Sequence, residues 1–416
     1  MHRLCLVGAV LCLLACGCSE QSSGSPSASL RSMTPEEAKR ETLPAFRPSR
    51  IDTLRDARGE YFSPQFTYSV LTRVGTTVAI EPDDRQVILF DTAGRELQRI
   101  GRNGGGPGEF RLPTGVFVLS GDSIAVWDGG LRRISVFDAN LKFQRTEQFA
   151  RWDLGGFESA LVGRLADGRW VARVVAHAPF DAAIRSGARF AVDTARLVVG
   201  LSDQEPVEFH RLPLRNGVDV VIASKESTDF HKLRLPELNG GVGTVCERGV
   251  VLVDSGGVRM LDEYGRLVRT LPLPRSGEQI TPAERKRTVT SKMYPSIRSS
   301  ADADKARELL EKLVAKWRVR LVRPMIDANG RLWYTRHGAV YMPTSVVDRV
   351  DSSGRTTAAL TLMAYGGGVS IGANSVATML HPSDTTGILV TLAHFAKPFT
   401  NSVESSLGHC AASFEY

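Results

Sequence analysis

A short turn sequence recurs along this 416-residue chain and restricts its fold more than any other feature. Each copy has an apolar strand end, an Asp, two variable residues and then, in most copies, a Gly and a basic residue. A sequence motif that repeats over most of a chain is typical of repeat architectures, in which each unit is one small supersecondary structure. The copies begin at Asp91, Asp138, Asp262 and Asp351, with a degenerate copy at Asp203.

Segments of high β propensity flank these turns, and helical periodicity is nearly absent between them. Residues 77–80 and 86–90, for example, are β-branched and apolar, as strands tend to be. Each unit is therefore a strand, a Gly turn, a strand, a loop, a strand, an Asp turn and a strand, which is the four-stranded antiparallel blade of a β-propeller. The Gly turns that lead into β-prone segments lie at Gly121, Gly168, Gly249 and Gly330.

The Asp turns have a defined local chemistry. The Asp side chain bonds to the backbone of its own turn, and the Gly supplies the positive φ that the turn requires. The second copy has Leu141 where the others have Gly. We expect Asn140 to adopt the left-handed conformation in that turn, because Asn tolerates it better than Leu.

The number of blades follows from the Asp turns. They give five units, and residues 369–392 begin a sixth that has no Asp turn or fourth strand of its own. The isolated strand-like segment 50–54 can complete this unit and leave no open edge between the first and last blades. We therefore predict an all-β fold, a six-bladed β-propeller of four-stranded antiparallel blades whose last blade is closed by an N-terminal strand. Seven blades stay possible if the long third unit hides another.

Residues 281–320 interrupt the β pattern with a two-helix insertion. Thr281 and Glu284 form a capping box with Pro282 at the first helical position, and an apolar stripe marks a second helix over residues 301–317. Residues 281–323 contain 12 Lys and Arg against 5 Asp and Glu, which equals the net charge of +7 of the whole chain. The insertion is either a solvated charged face or a surface for anionic lipid or an acidic partner.

The N-terminus has the pattern of an exported lipoprotein. His2 and Arg3 precede an apolar run of about a dozen residues, which is too short for a membrane-spanning helix of about 20 residues. The run ends in Leu-Leu-Ala-Cys at residues 13–16, which resembles the lipobox of bacterial lipoproteins. This resemblance implies cleavage before Cys16 and lipidation of its thiol, with Cys18 as the weaker candidate. An ordinary secretory peptide is the alternative.

These features divide the chain into segments. Residues 1–15 are a predicted signal peptide, and residues 16–45 are the lipidated cysteine and a flexible tether that begins with a Ser-, Gly- and Pro-rich stretch. The propeller is expected over residues 46–400, and residues 401–416 are a C-terminal tail.

A glycine-rich loop carries the clearest family resemblance. Gly-Gly-Gly-Pro-Gly-Glu-Phe at residues 104–110, followed by Pro113, resembles the inter-blade loop of NHL-type six-bladed propellers. The resemblance implies that the loop passes between blades and that Phe110 packs inward. A phosphate-binding loop would need Gly-Lys-Ser/Thr and a following helix, and neither is present.

No catalytic, cofactor or metal-binding residues can be assigned. The eight His residues have no metal-ligand spacing. Residues 368–372 match the Gly-x-Ser-x-Gly pattern around Ser370, but the following residues are too β-prone for the helix of a nucleophile elbow. A disulfide between Cys246 and Cys410 is possible, although the apolar run around Cys246 favours a buried free thiol. The Trp residues within strand-like segments are expected in the core.

The sequence therefore favours a binding protein over an enzyme. We expect a monomeric lipoprotein held in the cell envelope through Cys16, whose propeller binds a protein or small-molecule ligand on one face. Nucleic acid is not an expected partner outside the cytoplasm, and no cofactor can be named. The alternative is a metal-assisted hydrolase or lyase with its site in the central channel.

Overall fold

The computed structural model describes most of the strands of the chain. The described residues are 45–46, 48–54, 62, 68–72, 74–154, 159–176, 187–223, 228–234, 242–254, 257–271, 304, 307–308, 311–312, 323–326, 332–335, 345–350, 356–362, 369–371, 375–380, 389–396, 410 and 414–415.

The described strands form six sheets, which we number as blades in chain order. Two short strands come first, β1 (Ala45–Phe46) and β2 (Arg50–Leu54). Blade 1 contains β3 (Tyr68–Leu71), β4 (Thr77–Glu81), β5 (Gln86–Phe90) and β6 (Glu96–Ile100). Blade 2 contains β7 (Pro113–Val118), the 3₁₀ turn Ser120–Asp122, β8 (Ile124–Asp128), β9 (Arg133–Phe137) and β10 (Phe143–Gln148).

The third and fourth sheets each contain a fifth strand. Blade 3 contains β11 (Ala160–Arg164), β12 (Trp170–Ala176), β13 (Gly187–Gly200), β14 (Val207–Ala223) and β15 (Thr228–Arg234). Blade 4 contains β16 (Val242–Cys246), β17 (Gly249–Asp254), β18 (Gly257–Asp262) and β19 (Leu267–Leu271).

The last two sheets include strands from the start of the chain. Blade 5 contains β20 (Arg323–Ile326), β21 (Leu332–Thr335), β22 (Ser345–Val350) and β23 (Thr356–Leu362), with β1 added in parallel to β23. Blade 6 contains β24 (Val369–Ile371), β25 (Ser375–Leu380) and β26 (Leu389–His394), and β2 is its fourth strand. The last strand, β27 (Phe414–Glu415), joins blade 4 beside β16.

The predicted six-bladed propeller, including closure by the N-terminal strand, is confirmed. β2 pairs antiparallel with β26, with Arg50 opposite His394 and Leu54 opposite Val390. Leu54 and Val390 are buried in one apolar cluster with Ile88 of blade 1. The N-terminal strand therefore completes blade 6 and also contributes to its packing against blade 1.

Burial follows the position of each strand within its blade. All five residues of β4, β8 and β9 are buried, whereas none of the residues of the outer strands β6, β10 and β19 is buried. Neighbouring blades share their apolar clusters, since one cluster joins blades 1 and 2, a second joins blades 2 and 3, and a third joins blades 3 and 4. The core of the protein is therefore made of interfaces between sheets.

The meander gives the propeller two distinct faces. In blades 1 and 2 the turns between strands one and two and between strands three and four lie at the same end of the sheet, which we call the turn face. The connections between strands two and three, and those between blades, lie at the opposite end, which we call the loop face. The glycine-rich segment 101–112 lies on the loop face, and Phe110 is fully buried there, as its resemblance implied.

Several expectations are corrected. Leu141, and not Asn140, takes the left-handed conformation, with a φ of 54°. The long third unit contains no hidden blade, because β13 and β14 have 14 and 17 residues and extend past β12 as a three-stranded sheet with β15. Two short strands were not expected: β1 spans the boundary between the predicted tether and the predicted propeller, and β27 lies in the predicted C-terminal tail.

Other predictions lie wholly or mainly outside the described residues. They are the signal peptide, Cys16, the turn at Asp351 and most of the insertion at 281–320. Within the insertion, five residues are described and all are helical, namely Asp304, Arg307, Glu308, Glu311 and Lys312.

Candidate functional site

A cleft of about 450 Å³ opens between the outer strand of blade 2 and the turns of blade 3. One wall is β10, and the other is formed by the end of β11 with the β11–β12 and β13–β14 turns. Its lining residues are Arg145, Thr146, Glu147, Gln148, Arg164, Gly168, Leu201, Ser202 and Asp203. Eight of the nine are polar residues or Gly, so the cleft suits a ligand that forms hydrogen bonds.

Glu147 is the central acidic group of this cleft. Its side chain is only 14% exposed, and the Oε2 atom accepts a 2.7 Å hydrogen bond from the indole Nε1 of Trp170. Oε1 accepts hydrogen bonds from Nε and Nη2 of Arg145, at 3.2 and 2.9 Å. The carboxylate is therefore fixed from two sides, by a buried ring below and a guanidinium on the same strand.

Arg164 faces Glu147 from the other wall. Its guanidinium lies over the Trp170 ring, 5.3 Å from the centroid, and its Nε donates to the carbonyl oxygen of Gly168. The nearest contact with Glu147 joins Nη2 and Oε1 at 3.8 Å, which is too long for a hydrogen bond. Within the described part of the chain, both Nη nitrogens of Arg164 therefore lack a hydrogen-bond acceptor.

Local sequence explains why these groups meet. Arg145 and Glu147 are two residues apart on a strand, so both side chains lie on the same face of β10. Trp170 begins β12 and is fully buried, with its ring edge-on to Phe117 at 5.6 Å between centroids. A fully buried indole needs an acceptor for its N–H, and Glu147 provides it.

The degenerate turn of blade 3 forms the remaining wall. Its Asp203 is exposed and makes no side-chain ion pair or hydrogen bond with other described residues. The turn is held by buried Trp152, whose Nε1 donates to the carbonyl oxygen of Leu201 at 3.1 Å. Asp203 is therefore available to a ligand as a carboxylate acceptor.

The cleft offers charged groups that can bind a ligand. It presents one guanidinium with unused donors and one carboxylate without a partner among the described residues. A guanidinium matches a carboxylate or phosphate in a bidentate pair, and a carboxylate accepts from ammonium or hydroxyl donors. Among the described residues, no three His, Cys, Asp or Glu side chains are grouped to hold a metal ion.

The residues that were singled out from sequence patterns have the following positions in the structure. Ser370 lies in the short strand β24, and the next described element is strand β25, as the β-prone residues after Ser370 predicted. Cys246 is not a free thiol, because it forms a disulfide with Cys410. Trp127, Trp152, Trp170 and Trp333 are buried, as expected for core residues.

Sequence reasoning did not find the cleft. Its residues come from β10, β11 and two turns, and no spacing in the sequence links them. The one available signal is β10 itself, in which polar residues occupy both faces of a predicted strand. Trp170 was correctly expected in the core, but its indole N–H also orients Glu147 in the cleft.

Comparisons with known proteins support the propeller. A family model described as a 6-bladed beta-propeller, DUF5128, matches residues 78–153, which include most of blade 1 and all of blade 2. A comparison with curated proteins finds no match to the chain. None of the helices in the described residues is both long and apolar enough to cross a membrane.

Solved structures give weaker similarities. A candidate exported protein from Bacteroides fragilis is 12% identical, with a TM-score of 0.42 over 86% of this chain and 100% of its own. A streptogramin B lyase is 10% identical, with a TM-score of 0.39 over 83% and 97% of the two chains. The calcium-binding protein regucalcin from Agrobacterium tumefaciens is 10% identical, with a TM-score of 0.38 over 86% and 97%. At such identities and TM-scores these similarities carry no information about ligand or activity.

Proposed function

We propose that this chain is an envelope lipoprotein, anchored through Cys16, whose propeller binds a small polar ligand in the cleft between blades 2 and 3. The ligand presents a carboxylate to Arg164 and hydrogen-bond donors to Asp203 and Glu147. An amino acid or a short peptide has both groups. The glycine-rich loop at residues 104–110 supports an NHL-like origin of the blades but takes no part in binding.

The observation that carries the binding role is the state of Arg164. Its guanidinium is held on an aromatic ring and by one backbone carbonyl, yet it lies beyond hydrogen-bond distance of Glu147. An arginine that only stabilised the fold would be expected to use its terminal nitrogens on the carboxylate beside it. A cation held in place with unused donors is instead preorganised for an incoming acceptor.

Titration with a dipeptide tests this proposal. We expect alanyl-alanine to change the tryptophan fluorescence of the protein saturably, because Trp170 contacts both Arg164 and Glu147. The C-terminal amide of the same dipeptide should bind at least about tenfold more weakly, since it lacks the carboxylate. Arg164→Ala should abolish the response.

The matched control is Arg211→Ala. Arg211 lies on β14 of the same blade, outside the cleft, and pairs with Glu208 at 2.9 Å. This variant should bind alanyl-alanine like the wild type. Equal responses to the dipeptide and its amide, or a normal response in Arg164→Ala, would exclude the cleft as a carboxylate site.

The lipid anchor is tested separately. Metabolic labelling with a fatty acid should mark the wild-type protein in a bacterial host and leave Cys16→Ser unlabelled. Label that persists in Cys16→Ser and disappears in Cys18→Ser would move the anchor to Cys18. Label in neither the wild type nor these variants would make the N-terminus an ordinary secretory peptide.

A further inference from the structure

The C-terminal strand lies at the axial edge of blade 4. The order of strands in this sheet is β19, β18, β17, β16, β27, so β27 flanks the first strand of the blade. The first strands of several neighbouring blades contact one another: β3 contacts β7, β11 contacts β16, β16 contacts β20 and β24 contacts β3. First strands thus surround the propeller axis, and a strand added beyond β16 lies on the axis side.

Two separate contacts hold this segment along β16. Phe414 and Glu415 pair antiparallel with Gly243 and Val242 at one end of the strand. At the other end Cys410 forms a disulfide with Cys246. Both sulfur-bearing residues are buried beside Val251 and Val258.

We propose that Cys410 and β27 form a covalently retained plug, which narrows the central channel at blade 4 and is kept there by the disulfide. Neighbouring strands are about 4.8 Å apart, so this segment moves the channel wall toward the axis by about that distance. The proposal does not depend on the cleft between blades 2 and 3.

The disulfide, rather than the strand pairing, is the contact that keeps the segment in place. The described backbone pairing with β16 covers only the two residue pairs of β27 and one isolated bridge between Cys410 and Cys246. The net gain from a hydrogen bond is comparable with the entropy cost of fixing a single residue, so this pairing does not offset the ordering of the whole segment. A disulfide at Cys246 keeps the segment at a high effective concentration beside its edge.

The same bond makes the plug reducible. An external dithiol attacks one sulfur to give a mixed disulfide and one protein thiol. Its second thiol then closes its own disulfide, so two electrons and two protons leave the dithiol and both Cys246 and Cys410 become thiols. Because both cysteines are buried, we expect the dithiol to act only when the segment opens locally.

Amide hydrogen exchange of residues 242–246 tests the plug. Three samples are compared, the oxidised wild type, the same protein reduced with dithiothreitol, and a chain truncated after residue 409. We expect exchange at the inner edge of β16 to be at least about tenfold faster in the reduced and truncated samples than in the oxidised one. The exchange of β4 and β8 should be the same in all three.

The Cys410→Ser variant distinguishes the contribution of the disulfide from that of the strand pairing. This variant keeps the whole segment, and we expect it to exchange like the truncated chain and to lose its C-terminal residues to carboxypeptidase. Protection of β16 that persists in Cys410→Ser or after reduction would show that pairing alone holds the segment and would overturn the proposal. Loss of the β-sheet circular dichroism signal on truncation or reduction would also overturn it, because the segment would then be part of the core.

Discussion

Gly94 shows how a single residue joins two blades. Its φ is 78°, and a methyl group at this position would lie 2.9 Å from the carbonyl oxygen of Thr53 on β2. Gly265 has the same role in blade 4, where a methyl group would lie 2.6 Å from the carbonyl oxygen of Phe209. The Asp turn therefore reverses the chain and also rests on the fourth strand of the preceding blade.

Replacing Gly94 with Ala separates these two roles of the glycine. Gly108 is the matched control, because it has a φ of 71° but open space around its missing side chain. Gly108→Ala should lower the free energy of unfolding by about 1–2 kcal/mol, the cost of a left-handed residue. Gly94→Ala should cost about 1–3 kcal/mol more, since its methyl group meets a backbone oxygen.

Urea denaturation of both variants measures this difference. Equal losses would mean that β2 moves away from the turn at no cost, and the contact between the blades would then contribute little.

Leu141 shows why the residue type alone did not predict the turn in blade 2. A left-handed Leu is unfavourable by about 1–2 kcal/mol, which is why Asn140 was expected to adopt this conformation. In the fold, Leu141 is only 2% exposed and packs in the cluster between blades 1 and 2. Burying a Leu side chain contributes about 1.5–3 kcal/mol, which offsets the backbone cost. The sequence does not reveal this packing, because it requires the neighbouring blade.

At the scale of the element, two of the Asp turns share the same set of hydrogen bonds and the same ion pair. Asp91 Oδ1 accepts from the backbone N–H groups of Ala93 and Arg95, and Oδ2 accepts from the Arg95 guanidinium at 2.8 Å. Asp262 makes the same bonds with Tyr264 and Arg266. Desolvation raises the pKa of both Asp residues, but these hydrogen bonds outweigh it and leave each pKa below the ordinary value of 3.8.

This shift predicts how stability depends on pH. A carboxyl group whose pKa is depressed in the folded state contributes stability above its ordinary pKa, and loses it as pH falls through the lower, folded value. Stability should therefore decrease as pH falls below 3.8. The double variant Asp91→Asn, Asp262→Asn keeps the Oδ1 acceptors but removes the titrating groups, so its stability should depend less on pH in this range.

Thermal unfolding at several acidic pH values checks this expectation. The control is Asp83→Asn, a change in the exposed β4–β5 turn, which should keep the pH dependence of the wild type. A double variant with the same pH dependence as the wild type would assign the acid sensitivity to other carboxylates.

The turns and the cleft differ in how far the sequence predicts them. An Asp turn is local, so its residues and its role can be inferred from spacing within six residues. The cleft depends on the packing of blade 3 against blade 2, and its key contacts join Trp170 to Glu147, 23 residues apart, and Arg164 to Trp170. The disulfide is still less local, because its cysteines are 164 residues apart.

At the scale of the whole molecule, β2 closes the ring. Leu54, at its end, is 1% exposed between blades 6 and 1, whereas Ile51 on the same strand is 62% exposed. Leu54→Ala should lower the free energy of unfolding by about 2–5 kcal/mol, because it removes buried methyl groups and leaves a cavity. Ile51→Ala should change it by no more than about 0.5 kcal/mol.

The two variants are compared by urea denaturation followed by circular dichroism. Similar small effects of both substitutions would mean that the ring is stable without its closing contact. A larger effect for Ile51→Ala would point to an unrecognised partner on the outer side of β2.

The blade count could be predicted because most blades repeat one local pattern. Ring closure could be predicted because the sixth unit lacked a fourth strand and the isolated segment 50–54 belonged to no other unit. The additions β1 and β27 were not predicted. Each has only two residues, which is too short for an alternating pattern. Their pairing depends on where the blades place their free edges in space.

Ring closure also sets the order in which the chain can finish folding. Ser49, beside β2, bonds to His394, which is 345 residues later in the chain. At a synthesis rate of about 5–20 residues per second, β2 waits roughly 20 to 70 s for its partner. During that interval the strand has two unpaired edges, which makes the nascent chain vulnerable to pairing with other chains. Blade 6 is thus the last blade to form, and β2, which is made near the start of the chain, is among the last strands to pair.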